Sequence, residues 1–344
     1  MIGRVLGALL APAPLGRADV RLTFDLLLSP TASDAERASI LVALASRGDA
    51  PEELTQFAGE LRRRARPFRV PRRDGAVDLC GSGGARRPSF NISTVSAFVV
   101  AAAGAPVVKH GNASARGPCG SSDLLRALGL PIDRDPGFAR EAYRRYHLAF
   151  LHAPLFHPTT RAVGPARRLI GIPTLFNRLG PLSNPADVPY QVVGVPTAET
   201  ARTMVTALGR LGARAALSMA SDEGCDEFSP RSATRAFVWN GESVSRLTVR
   251  PRGLLPEADR RGSWEALPPP AAAEEARRLL AGGGGARRGS VLLTSGAALW
   301  ISGRAESLPD GVARAREALD TGAAEELLEK LEALGRQYSR NARE

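Results

Sequence analysis

From residue 75 onward, short apolar runs alternate with longer stretches in which apolar residues recur at helical spacing. Strands are predicted at 76–80, 106–108, 148–151, 191–193 and 215–219. Helices are predicted between them, at 94–103, 122–128, 137–146 and 198–211. Two further runs, 236–239 and 243–249, flank Asn240-Gly241, which is the strongest short hairpin signal. This alternation predicts an α/β fold.

The first part of the chain carries helix signatures instead. Ser33 and Glu36 form a capping box, and Gly48 stands where that helix would end. Asp49 is the expected cap of a second helix, which has Pro51 in its first turn. The apolar stripe of this second helix is formed by Leu54, Phe57, Ala58 and Leu61.

We therefore expect two domains. Residues 1–71 are predicted to form a small helical domain, and residues 72–344 a larger α/β domain. The segment 156–189 breaks the strand and helix alternation, because it is rich in Pro, Gly and Asn around one helix. We expect this segment to join the two domains as a hinge.

Net charge says little about the partner. Basic residues outnumber acidic ones, 46 against 35, for a formal net charge of +11. A nucleic-acid-binding surface needs its basic groups clustered on one face, whereas here they are scattered along the chain. A nucleic-acid partner is therefore not indicated by the charge alone.

The cysteine count points to a compartment. Three cysteines, an odd number in a chain of 344 residues, are typical of a reducing environment, so we expect a cytoplasmic protein. No apolar stretch approaches the roughly 18 residues of a membrane span, and no membrane partner is expected.

The first chemical signal is the glycine-rich stretch Gly81-Ser82-Gly83-Gly84, at the end of a predicted strand. Such a loop lets backbone N–H groups approach an anion, and the helix that follows offers its partly positive N-terminus to a phosphate. Ser89, Asn91, Ser93 and Thr94 then place short polar side chains at that helix start. These side chains can cap the helix, coordinate a hard cation or hold phosphate oxygens, and tight packing alone would also explain the glycines.

Two more polar groups follow predicted strands. Lys109 is one of only two lysines, and it ends a predicted strand, where a compact ammonium suits a phosphate or pyrophosphate. Asp226-Glu227 follows the strand at 215–219, and two carboxylates at such a place match Mg²⁺. Spacing alone does not choose between this pair and Asp222-Glu223.

In this order, the motifs resemble those of the anthranilate phosphoribosyltransferase family over nearly the whole chain. The resemblance is carried by 81–84, 90–94, 109–112, 120–125, His157-Pro158 with Arg167, 174–177, 180–185 and Asp226-Glu227. It implies a small N-terminal helical domain that mediates homodimerisation and a larger α/β domain with a central, mostly parallel sheet. It also implies transfer of the 5-phosphoribosyl group from phosphoribosyl pyrophosphate to the amine of anthranilate or a related aromatic acid.

The resemblance also assigns roles to residues. Phosphoribosyl pyrophosphate would be bound by Gly81, Ser82, Gly83, Gly84, Ser89, Asn91, Ser93, Thr94, Lys109, Gly111 and Ser121. The aromatic acid would be bound by Gly81, His110, Asn112 and Arg167, the last receiving its carboxylate. Two Mg²⁺ ions would be held by Ser93, Asp226 and Glu227, which decides against Asp222-Glu223. The catalytic group would comprise Lys109, His110 and Asn112.

Some positions depart from the family pattern. Ala85 replaces an acidic residue and is followed by Arg86 and Arg87, while Ala113 replaces an arginine in a loop whose remainder, 115–119, also differs. We expect altered contacts with metal, pyrophosphate or acceptor, as in a paralogue that serves secondary metabolism. The alternative from another class is a non-enzymatic nucleic-acid-binding homologue, against which the Asp226-Glu227 pair speaks, because polyanion binding needs no paired carboxylates.

All three cysteines, Cys80, Cys119 and Cys225, fall inside these motifs. Their spacing matches no metal motif, so we expect them to fill small apolar spaces rather than to form a zinc site.

Overall fold

A sheet lies at the centre of the computed structural model, which describes residues 1–48, 50–71, 73–83, 88–114 and 117–341. Within these residues the sheet has seven strands in the order β3-β2-β1-β4-β5-β6-β7. The strands are β1 Val77–Gly81, β2 Val107–Gly111, β3 Leu148–His152, β4 Tyr190–Gly194, β5 Ala215–Ser221, β6 Thr234–Trp239 and β7 Val244–Val249. Strands β1 to β5 pair in parallel, and β6 and β7 add antiparallel. The predicted α/β fold with a mostly parallel sheet is confirmed.

Strand β2 is longer than predicted. It pairs with β3 through Lys109, His110 and Gly111, so that Lys109 lies inside the strand rather than at its end. The prediction ended the strand at 108 because a lysine and a histidine interrupt the apolar run. Pairing with a neighbouring strand outweighs that local signal.

Helices cover both faces of the sheet. The helices of the N-terminal region are α1 Ile2–Leu10, α2 Arg17–Leu28, α3 Asp34–Arg47 and α4 Pro51–Arg63. The helices between the strands are α5 Ile92–Ala102, α6 Ser121–Ala127, α7 Pro136–Tyr146, α8 Ala153–Phe156, α9 Gly164–Ile170, α10 Leu175–Leu182 and α11 Ala198–Arg210. The C-terminal helices are α12 Pro269–Leu280, α13 Ala286–Ile301, α14 Leu308–Asp320 and α15 Ala323–Asn341.

The N-terminal helix signals hold well. The Ser33 hydroxyl accepts from the Glu36 N–H, the Glu36 carboxylate accepts from the Ser33 N–H, and α3 ends at Gly48 with a φ of 81°. Helix α4 begins at Pro51 with Ala50 as its N-cap residue, and the predicted cap, Asp49, lies outside the described residues. The predicted stripe of α4 is entirely buried.

Each face of the sheet has its own apolar core. Alternate residues of a strand point to opposite faces, so Val192 belongs to one core and Val193 to the other. Helices α5 and α12 to α15 cover the first face. Helices α1 to α4 share the second core with α9, α10 and α11, where the ring of Phe24 contacts those of Phe57, at a tilt, and Phe176, edge to face. The division at residue 71 stays a prediction.

Among the described residues, no helix combines the length and the apolar character that crossing a bilayer requires.

Candidate active site

Three strands end in glycine at the carboxyl edge of the sheet. A Cβ atom on Gly81 would lie 2.9 Å from Oδ2 of Asp226, and one on Gly194 would overlap the Asp226 carbonyl. A Cβ atom on Gly111 would overlap the hydroxyl of Ser121, the first residue of α6. Glycine at these three ends thus lets the Asp226 loop and the start of α6 sit directly against the sheet edge.

Two buried carboxylates lie at this edge. The N–H of Gly83, a residue with a φ of 65°, donates to Oδ2 of Asp226 at 3.2 Å. Among the described residues, Oε2 of Glu227 is buried without a hydrogen-bond partner. Burial raises the pKa of Asp226, and burial together with the charge of Asp226 raises the pKa of Glu227 well above its ordinary value. Buried carboxylate oxygens with an open acceptor fit a hard divalent cation.

The competing pair is engaged elsewhere. Asp222 forms an ion pair with Arg235, while Glu223 binds Arg231 and accepts from the Ser229 hydroxyl. Both carboxylates therefore already have partners from the chain, unlike Oε2 of Glu227.

Lys109 lies in the interior between β1 and α5. Its ammonium donates to the carbonyl of Leu79 and to Oγ of Ser93, the latter at 3.3 Å. Its charge lowers the pKa of Glu227, as does the Ser93 N–H, although burial dominates. The ammonium thus balances the buried carboxylates at the place where the glycine-rich loop leaves β1.

The polar residues around the start of α5 are spread over several contacts. Asn91 is the N-cap residue, but its side-chain amide donates to the Cys119 carbonyl at 3.1 Å and does not cap the helix. Thr94 is buried, and Ser89 forms an isolated bridge with Glu265. The Ser82 N–H donates to the Gly194 carbonyl, and its buried hydroxyl has no partner within the described part of the chain. Gly84 lies outside the described residues.

The loop after β2 folds back onto α6. The Asn112 carbonyl accepts from the Ser121 hydroxyl and from the Ser122 N–H, both at 3.1 Å. Oδ2 of Asp123 accepts from the N–H groups of Ser114 and Gly120. The side-chain oxygen of Asn112 accepts from the adjacent Ala113 N–H at 2.8 Å. Of the departures from the family pattern, residues 85–87, 115 and 116 lie outside the described residues.

Two buried histidines face each other next to β2. Nδ1 of His110 lies 3.3 Å from the Gly180 carbonyl, Nε2 of His157 lies 2.9 Å from the Ser183 carbonyl, and the ring centroids are 5.1 Å apart. A carbonyl only accepts, so these nitrogens carry the protons, and the other two ring nitrogens are acceptors. Those two have no partner among the described residues. Burial, followed by the charge of His157, lowers the pKa of His110 to about 3, and the ring stays neutral at physiological pH.

Arg167, on α9, is oriented by two neighbours from α10. Its guanidinium donates to Oδ1 of Asn177 at 3.3 Å and lies 5.7 Å from the ring centre of Phe176. The same Oδ1 accepts from the Thr174 N–H at the start of α10. An arginine held on an aromatic face by an amide is suited to recognising a planar carboxylate.

The sequence prediction missed several residues that build this site. Asp78, Asn184 and Gln191 are buried polar residues behind His110, and His157 had no assigned role. The available signal was a charged or amide side chain inside an otherwise apolar strand run, as at Asp78 and Gln191.

The three cysteines are all buried. Burial raises the pKa of the Cys80 thiol well above its usual range and that of Cys119 to about 11, so both are neutral. Cys225 packs with Trp264 and Ala286. No group of three or more histidine, cysteine or acidic side chains that could hold a metal occurs in the described parts of the chain.

Comparison with known proteins agrees with this arrangement. Residues 73–325 match the family model described as glycosyl transferase family, a/b domain. An anthranilate phosphoribosyltransferase of Desulfitobacterium hafniense is 38% identical over 319 residues, covering 91% of this chain and 93% of that protein. The anthranilate phosphoribosyltransferase of Thermus thermophilus superimposes with a TM-score of 0.86 at 36% identity, covering 96% of this chain and 99% of that one.

The yeast enzyme solved with phosphoribosyl pyrophosphate and Mg shares the fold, with a TM-score of 0.84 at 23% identity over 98% of both chains. The fold and the family model thus define a glycosyltransferase. The chain belongs to the anthranilate phosphoribosyltransferase family, and it is a phosphoribosyltransferase enzyme.

Proposed function

We propose that this enzyme transfers the 5-phosphoribosyl group of phosphoribosyl pyrophosphate to the amine of anthranilate and releases pyrophosphate. The observation that carries the proposal is the buried pair Asp226 and Glu227, with an open acceptor oxygen, beside Lys109 at the glycine-lined end of β1. A site that gathers carboxylates, an ammonium and backbone N–H groups is suited to a pyrophosphate bound with divalent cations.

The metal ligands in this proposal are Asp226, Glu227 and the hydroxyl of Ser93, and two Mg²⁺ ions are proposed. The raised pKa values of both carboxyl groups show that burial disfavours their charged form, an effect that a bound cation would offset. When bound, Mg²⁺ supplies electrostatic stabilisation of the negative charge on the departing pyrophosphate.

Side chains and main-chain N–H groups of the protein also stabilise the negative charge on the departing pyrophosphate. As the bond from the anomeric carbon to pyrophosphate breaks, positive charge develops on the ribose and negative charge on the leaving group. Lys109 and the start of α5 supply positive charge and N–H donors for the leaving anion, and Ser89, Asn91, Thr94 and Ser121 are proposed to bind its phosphate oxygens. Catalysis is then mainly positioning and leaving-group stabilisation.

The aromatic acid accepts the phosphoribosyl group, and the residues proposed to bind it are His110, Asn112 and Arg167. Arg167 receives the carboxylate of the aromatic acid. His110 stays neutral because of burial, so it offers the acceptor a lone pair and no competing charge. An aromatic amine is mostly unprotonated at neutral pH and attacks without a strong general base.

We further propose a homodimer formed through the N-terminal helices. Leu10, Val42, Leu169 and Ile172 are exposed on or next to α1, α3 and α9, which pack together in the second core. Large exposed apolar residues that cluster on one layer are typical of a protein interface. The proposal places the enzyme in the cytoplasm, where its thiols stay reduced.

The test is pyrophosphate release from phosphoribosyl pyrophosphate and Mg²⁺ with a panel of aminobenzoates. Release that depends on anthranilate supports the proposal, and faster turnover of another aminobenzoate would assign the chain to a diverged paralogue. Single-stranded DNA bound with a steep salt dependence, together with no pyrophosphate release, would replace the proposal with a nucleic-acid-binding role.

A further inference from the structure

Asp78 is a wholly buried acid in β1, the strand that also leads to the glycine-rich loop. Its Oδ1 accepts from the His110 N–H at 3.2 Å. Its Oδ2 accepts from the side-chain amides of Asn184, at 2.8 Å, and Gln191, at 3.4 Å. One carboxylate thus joins three segments that meet behind the two histidine rings.

Residues 180–185, which we name the strap, are the second part of this arrangement. Their carbonyl groups accept hydrogen bonds from different parts of the chain. The carbonyls of Gly180 and Ser183 accept from the rings of His110 and His157. The carbonyls of Pro181, Leu182 and Pro185 accept from the Gln191 amide, the Arg62 guanidinium and the Phe68 N–H, respectively. The orientation of both rings therefore follows from the conformation of the strap.

Asn184 connects the strap to Asp78. Its amide nitrogen also donates to the Val108 carbonyl at 2.8 Å, and its side-chain oxygen accepts from the Ala186 N–H at 2.9 Å. Every polar atom of the Asn184 side chain is thus engaged, and Asp78 faces donors at both oxygens. An amide at position 78 would point a donor at a donor whichever way it turned.

We propose that Asp78 is a positioning residue for the aromatic acid: it fixes the His110 main chain and, through Asn184 and Gln191, the strap that orients the His110 and His157 rings. The inference rests on the proposed function and deepens it. A wholly buried carboxylate in the middle of a sheet is costly, and replacing it by an apolar residue would relieve that cost. The three groups that donate hydrogen bonds to Asp78 lie on the side of the site proposed for the aromatic acid. Lys109, whose charge lowers the pKa of Asp78, instead donates to Ser93 on the side proposed for phosphoribosyl pyrophosphate.

The primary test is Asp78→Asn with both substrate KM values measured. We expect the KM of the aromatic acid to rise about tenfold, because one buried donor loses its acceptor. The KM of phosphoribosyl pyrophosphate and kcat should stay at the wild-type values. A KM unchanged for the acid, or raised equally for both substrates, overturns the inference.

Asp259→Asn is the matched control. Asp259 is also a buried carboxylate, but it binds Arg288 and the Gly285 N–H under the C-terminal helices. This variant should lower the melting temperature and leave the acceptor KM unchanged. An equal rise in acceptor KM here would show that the Asp78→Asn effect is only lost stability.

Asn184→Ala combined with Asp78→Asn tests the coupling. Asn184→Ala removes one of the donors that face position 78, so in the double variant this donor no longer opposes the new amide. We expect the KM of the aromatic acid to rise less in the double variant than the product of the two single fold-increases. Strictly multiplicative effects contradict the proposed connection. Should Asp78→Asn fail to fold, Gln191→Leu, which removes a donor to both Asp78 and the strap, must raise the acceptor KM selectively.

A readout without substrate separates this inference from the proposed function. Nitrogen NMR of the histidine rings reports their tautomers, and we expect the His110 and His157 resonances to shift in Asp78→Asn and not in Asp259→Asn. A wild-type enzyme that uses no aminobenzoate refutes the proposed function while these shifts still test the positioning. Active wild type with unmoved resonances and unchanged acceptor KM refutes the positioning alone.

Discussion

Oδ2 of Asp226 lies 2.9 Å from the point where a Cβ atom would stand on Gly81. The neighbouring main chain also donates to this oxygen, through the N–H of Gly83. The end of β1 and the carboxylate proposed to bind metal are therefore fitted to each other. Even one added methyl group at Gly81 must displace Asp226.

Gly81→Ala is accordingly expected to reduce pyrophosphate release by about 10- to 100-fold, because misplacement of a binding group by a fraction of an ångström is costly. The dependence of rate on Mg²⁺ concentration should shift to higher values. Gly7→Ala in α1, where an added Cβ meets nothing within 4 Å, is the control and should leave the rate unchanged. A fully active Gly81→Ala enzyme would show that Asp226 is not at the reaction.

Asp226→Asn separates activity from stability. Burial raises the pKa of Asp226, so its charged form destabilises the protein at neutral pH, and removing the charge should leave the metal-free melting temperature equal or higher. Pyrophosphate release should fall by about 100-fold or more. Asp222→Asn, which breaks only the exposed pair with Arg235, should keep full activity. Unchanged turnover in Asp226→Asn would refute the metal assignment.

Arg167→Ala should raise the KM of the aromatic acid by about 10- to 100-fold with a smaller effect on kcat, since a charge-assisted contact is lost. Arg168→Ala, at the exposed neighbouring arginine, is the control. Aniline, which lacks the carboxylate, should react poorly with the wild type. Equal reaction of aniline and anthranilate would remove the proposed role of Arg167.

The His110 ring predicts a pH dependence of stability. Burial lowers its pKa to about 3 from an ordinary value of 6.5, so below pH 6.5 the unfolded chain takes up the proton that the folded chain refuses. This contribution to stability is present above the ordinary value and is lost as the pH falls. Relative to His110→Asn, the wild type should lose about 2 kcal/mol of unfolding free energy between pH 7 and pH 5, measured by urea titration. A difference independent of pH would contradict a buried neutral ring.

Leu169→Glu tests the proposed homodimer. Leu169 is 74% exposed on α9, which packs against the N-terminal helix α3, so a charge there should weaken a contact made through this layer without disturbing the core. Sedimentation velocity should show a dimer for the wild type and more monomer for the variant. Ser245→Glu, on the edge strand β7, should keep the dimer. A wild type that is monomeric at every concentration rejects the proposed homodimer.

Much of the fold could be predicted because its sequence patterns depend only on residues close together in the chain. The run at 148–151 and the capping box of Ser33 and Glu36 need only their own neighbours to be recognised, and the structure has both. The predicted end of β2 was wrong because Lys109 and His110 pair with β3, and strand pairing is a non-local interaction. The same limit applies to Asn91, whose local pattern suggested a helix cap while its amide reaches a carbonyl 28 residues away.

The candidate site divides along the same line. The glycine-rich stretch that begins at Gly81 could be predicted as a place of close approach, because glycine leaves room for a neighbouring group. Gly111 was assigned only through the family resemblance. The ring tautomers of His110 and His157 could not be predicted, because they depend on carbonyl groups some 70 and 26 residues further along the chain.

The strap has a consequence for dissecting or transplanting this pocket. Its carbonyl groups accept hydrogen bonds from donors in α4, β2 and β4, so local bonds such as that from the Ser183 hydroxyl to the Gly180 carbonyl are only part of what holds its conformation. A peptide, an isolated helical fragment or a loop graft with the same sequence would therefore lack the contacts that hold this conformation. Engineering a new acceptor preference would therefore have to treat the distant donors, Arg62 and Gln191 included, as part of the recognition surface.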